Sequence, residues 1–147
     1  MRVVKLGIIS IIVFALLMYL MSLLLPSQVR ISRAINITAK AEEIYPYVAR
    51  ASRWKSWNTI TTDSINISVL KLEPGLIQTN WNYKNRNIIS SFRLEESSGI
   101  TVVQWYFDFD LNWYPWEKFG SITFDRQFGG PMEASLNNLK NLIENSP

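Results

Sequence analysis

The chain contains neither cysteine nor histidine. Disulfides, thiol nucleophiles, imidazole bases and the usual zinc ligand sets are therefore excluded. A chain that needs no disulfide folds in an oxidising or a reducing compartment alike, so this absence assigns it to neither. Glycine is sparse as well. Its six glycines are scattered over 147 residues, and none opens a helix after a strand in the pattern of a phosphate-cradling loop. An excess of one charge is also missing. The formal charge is +3, but Arg2 and Lys5 precede the first apolar run, and Pro26 to Pro147 carries thirteen Lys and Arg against twelve Asp and Glu. That near-balance leaves no electrostatic footprint for nucleic acid.

What is present is, first, a long apolar run. From Leu6 to Leu25 twenty residues pass without a charge, and only Ser10, Tyr19 and Ser22 carry polar side chains. At ~1.5 Å per residue a helix of this length spans ~30 Å, the thickness of a bilayer's hydrocarbon core. A cleaved signal peptide would have a shorter run followed by small residues, a pattern missing around Leu23, Leu24, Leu25 and Pro26. A lipoprotein signal would need a cysteine after the run. Residues 1–25 are thus expected to be an uncleaved single-pass anchor, and residues 26–147 a single domain with room for one core. Arg2, Lys5 and the α-amino group are nearly balanced by Arg30, Arg33 and Lys40, so flanking charge hardly orients the span. A very short N-terminal tail is expected to stay inside, which puts the domain outside the cytoplasmic membrane.

Beyond the anchor the periodicity changes. Val29, Ile31, Ile35 and Ile37 recur at odd positions, as in a half-buried strand that begins close behind the anchor. Thr38 can cap a helix whose apolar face is Ile44, Tyr47, Val48 and Ala51, with Pro46 expected to kink it. SRWKSW then places Trp54 and Trp57 on one side of a short helical turn. Four strands follow, INISVLKL, LIQTNWNY, NIISSFRLEE and ITVVQWYFDFDL, separated by Glu73-Pro74-Gly75, Lys84-Asn85-Arg86-Asn87 and Ser97-Ser98-Gly99. Each separator is short and turn-forming, so the strands read as an antiparallel meander. In the last strand Val103, Trp105, Phe107, Phe109 and Leu111 share one face, and Gln104, Tyr106, Asp108 and Asp110 the other. WYPWEKFGSITFDRQFGGP is expected to be partly helical from Pro115, with Trp116, Phe119, Ile122 or Thr123, and Phe128 near one side and a break at Gly129-Gly130-Pro131. Met132, Leu136, Leu139 and Ile143 form the stripe of a final amphipathic helix. The order strand, helices, four strands, helix is α+β: a curved antiparallel sheet of about five strands gripping a long C-terminal helix.

An apolar N-terminus followed by LPSQVRISRAINITAKAEEIYPYVARASRWKSW, and closed by WEKFGSITFDRQFGGPMEASLNNLKNLIENSP, resembles the START-like helix-grip superfamily, also called SRPBCC. It is most similar to the bacterial polyketide cyclase/dehydrase-like branch. The resemblance covers nearly the whole chain, although WKSW, the Val103-x-Trp105 rhythm and SLNNLKNLIE are each soft motifs. It implies an apolar cavity between the sheet and the last helix. Similar proteins carry two further strands after the tryptophan turn, where this chain has only Asn58 to Ser64. The resemblance therefore also implies a shortened sheet and a cavity that is less enclosed.

Three sets of residues are candidates for function. Trp81, Tyr83, Phe92, Trp105, Phe107 and Phe109 from the sheet, with Leu136 and Leu139 from the helix, could line an apolar ligand site; the competing reading is that they fill the core. Trp113, Tyr114 and Trp116 with Lys118 make an aromatic-basic cluster suited to the headgroup level of a membrane, to gating a ligand, or simply to packing a loop. Asp108 and Asp110 share a strand face, but it is the solvated one, so no residue is assigned a catalytic role. No metal site and no cofactor are expected. The first functional expectation is a membrane-tethered module binding a hydrophobic small molecule or lipid without covalent chemistry. The alternative is an interaction protein or homodimer that uses INISVLKL as an exposed edge strand. An enzyme limited to Tyr, Asp, Glu, Arg and Lys ranks behind both.

Overall fold

The computed structural model describes residues 1–61, 65–83 and 86–145. The apolar run forms α1 (Arg2–Leu23), a helix long and apolar enough to cross a membrane. Its chain of Leu, Ile, Val, Met, Ala and Phe meets no proline until Pro26. After it come β1 (Gln28–Ile37), α2 (Ala41–Ala49) and a 3-10 turn (Ala51–Ser56). The meander follows as β2 (Asn66–Glu73), β3 (Leu76–Tyr83), β4 (Arg86–Ser97) and β5 (Ile100–Asp110). The chain ends with α3 (Pro115–Gly120), a 3-10 turn (Ser121–Thr123), a π-helical turn (Asp125–Gly129) and α4 (Gly130–Glu144). An N-terminal helix, a five-stranded antiparallel sheet and a long C-terminal helix are thus the architecture expected from the periodicities. Of the turn residues expected between β3 and β4, Lys84 and Asn85 lie outside the described residues. Gly75 (φ 83°) and Gly99 (φ 81°) supply the left-handed backbone of the two flanking hairpins, with Ser98 at φ 53° beside the second.

The chain divides into two units. One comprises Met1–Val29 and Asp110–Thr123, the other Arg30–Phe109 and Phe124–Pro147. In the larger unit the sheet order is β1-β5-β4-β3-β2. The antiparallel register lines up three rows of inward side chains: Ile77, Phe92 and Trp105; Thr79, Ser90 and Phe107; Trp81, Ile88 and Phe109. Ile44 and Val48 of α2, and Met132, Leu136 and Leu139 of α4, are fully buried. Trp54 and Trp57 complete the core. Trp54 lies against Trp81 (ring centroids 5.4 Å) and Phe92 (5.9 Å), and Trp57 against Phe92 (5.9 Å) and Trp105 (6.0 Å). Trp105 stacks on Phe92 at 4.9 Å and 20°.

A buried indole needs an acceptor for its N–H, and each of these four has one. Trp54 donates to the Val48 carbonyl (3.0 Å), Trp57 to the Tyr47 carbonyl (3.3 Å), Trp81 to Thr79 Oγ1 (2.9 Å) and Trp105 to Ser90 Oγ (2.8 Å). The small polar residues Thr79 and Ser90 in the middle row are therefore what allow tryptophans on either side of them. Each ring so buried contributes on the order of 2 to 3 kcal/mol of transfer free energy.

Three local expectations are corrected. Thr38 does not cap α2. The helix starts at Ala41, whose N–H is bonded by Glu96 Oε2 of β4 (2.8 Å), while the Thr38 N–H goes to Glu144 Oε1 (2.8 Å). Gly129-Gly130-Pro131 does not break the chain's helical course. The π-helical turn runs directly into α4, where Pro131 occupies the first turn and gives up an N–H that has no partner there in any case. Trp116 and Ile122 do not lie on a buried face, since both are exposed and the buried side chains of α3 are Glu117 and Lys118.

Candidate functional site

At one end of the inward face lies a pocket of about 200 Å³, lined by Ile60, Ile65, Trp81, Tyr83, Ile88, Phe107 and Phe128. The sheet supplies four of these from three strands. Trp81 and Ile88 are register partners across β3 and β4, and Phe107 sits opposite Ser90 on the next row. Phe128 comes from the π-helical turn and touches Phe107 (5.9 Å) and Phe109 (5.0 Å).

Ile60 is set by a hydrogen-bonded loop. Asn58 Oδ1 accepts the N–H groups of Ile60 (2.8 Å) and Thr61 (3.3 Å), the side-chain turn for which asparagine is suited. The Thr59 N–H donates to Ser135 Oγ (2.9 Å), and Asn138 Nδ2 donates to the Trp57 carbonyl (3.3 Å), tying the loop to α4. Among the described lining residues the only polar side-chain groups are the Tyr83 hydroxyl and the Trp81 indole, whose N–H is already bonded. Such a lining can desolvate an apolar group. It presents no pair of acid and base to a reacting atom.

The eight residues expected to line a ligand site are divided by the structure. Trp81, Tyr83 and Phe107 line this pocket, and Phe109 stands behind it against Phe124 (4.9 Å) and Phe128. Phe92, Trp105 and Leu139 are fully buried in the aromatic core. With Trp54 and Trp57 beside them, Phe92 and Trp105 meet other rings, in keeping with the core-filling reading of these residues. Leu136 is buried too, its edge reaching a different cleft of about 300 Å³ with Arg33, Ala34, Ile35, Glu133 and Asn137. Ile60, Ile65, Ile88 and Phe128 were not among the expected residues. Ile88 could have been found from its register with Trp81, whereas the loop isoleucines have no periodic signal.

On the outer face Asp108 holds Arg30 in a two-point ion pair (2.6 and 2.9 Å), and the Arg30 guanidinium also lies over the Tyr106 ring at 4.3 Å. Asp108 accepts this hydrogen bond from Arg30, which raises the Arg30 pKa from its ordinary value. In the smaller unit Trp113, Tyr114 and Trp116 are exposed, but Lys118 is not. Its ammonium is buried and donates to the main-chain carbonyls of Ser22 and Leu25.

No family model and no curated protein matches the chain. Solved structures do. CalU16 from Micromonospora echinospora is 15% identical over 82% of this chain and 84% of its own, with a TM-score of 0.60. A START superfamily protein from Mycobacterium smegmatis is 14% identical over 78% of this chain and 97% of its own, with a TM-score of 0.60. The chain has a START-like helix-grip fold. A third helix-grip match, the Aha1 dimer from Colwellia psychrerythraea, is 20% identical over 80% of this chain and 97% of its own, with a TM-score of 0.58. At such identities the likeness carries the fold and leaves the activity to the site.

Proposed function

We propose that this protein is a membrane-tethered helix-grip module of the polyketide cyclase/dehydrase-like kind that binds an apolar group without covalent chemistry. The observation that carries the reading is the apolar pocket of about 200 Å³ between Trp81, Ile88, Phe107 and Phe128. A cavity of ~150 Å³ with a similar aliphatic and aromatic lining holds benzene, while whole drug-sized ligands occupy ~300 to 1,000 Å³. The ligand part that fits is therefore one ring or the end of an acyl chain. The aromatic core occupies the rest of the space that a larger ligand would need. α1 supplies the tether and residues 26–147 the domain.

Native mass spectrometry of the full chain released from detergent is expected to show a retained apolar adduct, and Ile88→Trp, which fills the pocket, to abolish it. An adduct that survives in Ile88→Trp, or none in the wild type, overturns the site.

A second reading rests on β2. This strand is the sheet edge, and Val69, Leu70 and Leu72 on it are half-exposed. A bulge between Val69 and Lys71 is its main protection. The occupant proposed is a second copy paired edge to edge, an arrangement in keeping with a relative of the same fold described as a dimer. Light scattering in detergent is expected to give a dimer that Leu70→Lys splits; a monomeric wild type removes this reading.

A further inference from the structure

The segment Asp110–Thr123 has its polarity inside out. Beyond Asp110, which is exposed, its charged residues Glu117 and Lys118 are buried (8% and 6% exposed), while Trp113, Trp116 and Ile122 are 65%, 72% and 68% exposed. A segment facing water sorts the other way, because burying a charge is costly and burying a large ring is favourable. The exposed rings are not scattered. Trp113 meets Tyr114 at 4.8 Å, Tyr114 stacks on Trp116 at 4.9 Å and 13°, and Trp113 packs edge-on against Tyr19 of α1 at 6.4 Å. They form one aromatic surface continuous with the apolar side of α1.

What holds this surface on the helix is Lys118. Its Nζ donates to the carbonyls of Ser22 and Leu25, both at 3.2 Å. The Ser22 carbonyl, which also accepts the Leu25 N–H (3.2 Å), belongs to the last turn of α1, and Leu25 lies just beyond it, so both carbonyls stand at the negative end of the helix dipole. Ser22 is the one buried residue of α1, covered where this segment lies on it. Glu117 Oε2 accepts the Asn112 N–H (3.2 Å) and so closes the loop that presents the rings.

We infer that Trp113, Tyr114, Trp116 and Ile122 form a collar lying in the lipid–water interface, and that Lys118 is the positioning residue clamping it to the last turn of the anchor. The inference rests on the reading of α1 as membrane-spanning. The occupant is the lipid interface because the collar continues the surface of α1, whose uncharged run ends at Leu25, one residue before Pro26. Tryptophan and tyrosine are favoured at that depth, where the ring is shielded and its N–H or O–H stays wet.

The test uses the full chain in phosphatidylcholine vesicles whose acyl chains are brominated either near the carbonyl end or near the methyl end. The signal of Trp113 and Trp116 is taken as the difference from Trp113→Phe/Trp116→Phe. Stronger quenching by the shallow bromines is expected; equal quenching at both depths, or none, overturns the collar. Lys118→Met is expected to lose the shallow quenching and to admit chymotrypsin cleavage between Trp113 and Phe119, with Lys118→Arg restoring protection. If Lys118→Met keeps both properties while the near-ultraviolet circular dichroism of the buried tryptophans is unchanged, the clamp is wrong. Alkaline carbonate separates the two readings. Wild type released from the vesicles overturns the spanning helix, whereas retained protein without shallow quenching overturns the collar alone.

Discussion

Trp105 is where the aromatic core can be tested most sharply. The residue is fully buried, stacks on Phe92, touches Phe107 at 5.1 Å and donates its indole N–H to Ser90 Oγ. If these rings fill the core, Trp105→Ala removes the transfer free energy of the indole and leaves a cavity, a loss of about 3 to 5 kcal/mol for such substitutions. Leaving Ser90 without its donor adds about 1 kcal/mol. Against a domain stability of ~5 to 15 kcal/mol, a total of about 4 to 6 is a large share. With ~3 to 4 °C of midpoint per kcal/mol at this size, the expected fall in Tm is roughly 15 °C. Thermal unfolding of the full chain in detergent, followed by near-ultraviolet circular dichroism, reads it directly. The cavity should also be dry and apolar, so added indole is expected to raise the Tm of Trp105→Ala and leave the wild type unmoved. A fall of less than about 4 °C, without indole rescue, would mean that Trp105 borders open space and that the filled core is wrong.

Two further predictions concern bonds between distant parts of the chain. The Thr38 backbone N–H donates to Glu144 and holds its carboxyl below the ordinary carboxylate range. A depressed folded pKa means a contribution present above the unfolded pKa and lost as pH falls through the folded one. Stability measured by urea from neutral pH down to about 3 is therefore expected to fall less steeply in Glu144→Gln than in wild type; parallel curves would contradict the bond. At the start of α2, Glu96→Ala removes the acceptor for the Ala41 N–H and is expected to cost about 1 kcal/mol, as loss of a helix cap does. Glu96→Gln keeps an acceptor and should lose less than half of that, and equal losses would contradict the capping role.

How far the structure was legible in the sequence depends on whether the signal was periodic and local. The alternation of Val103, Trp105, Phe107 and Phe109 gave the inward face of β5, and Ile44 with Val48 gave that of α2. Met132, Leu136 and Leu139 did the same for α4. In each case the burial pattern repeats with the backbone's own period. What periodicity could not show is a partner far along the chain. Glu96, fifty-five residues from Ala41, takes the role that neighbouring Thr38 was expected to have. Glycine and proline at 129–131 looked like a stop, yet a π-helical turn followed by proline in a first helical turn keeps the chain helical.

Two aromatic patterns are ambiguous in the sequence alone. Counting apolar residues on α3 assumed water outside, and the pattern there is inverted, with Lys118 in and Trp116 out. Tryptophan spacing likewise cannot distinguish a ring that lines a pocket from one that fills a core. That difference depends on Trp54 and Trp57, which reach over from the turn after α2, and on the loop that brings Ile60 to the pocket beside Trp81.

The proposed function is tested most directly by photo-labelling the full chain in lipid nanodiscs with a fatty acid that carries a diazirine at its methyl end, and mapping the adducts by mass spectrometry. Adducts on the peptides holding Ile60, Ile65 and Ile88, absent in Ile88→Trp, are the predicted result. Label confined to α1 and the residues beside it, with the pocket peptides unmodified, would contradict the account.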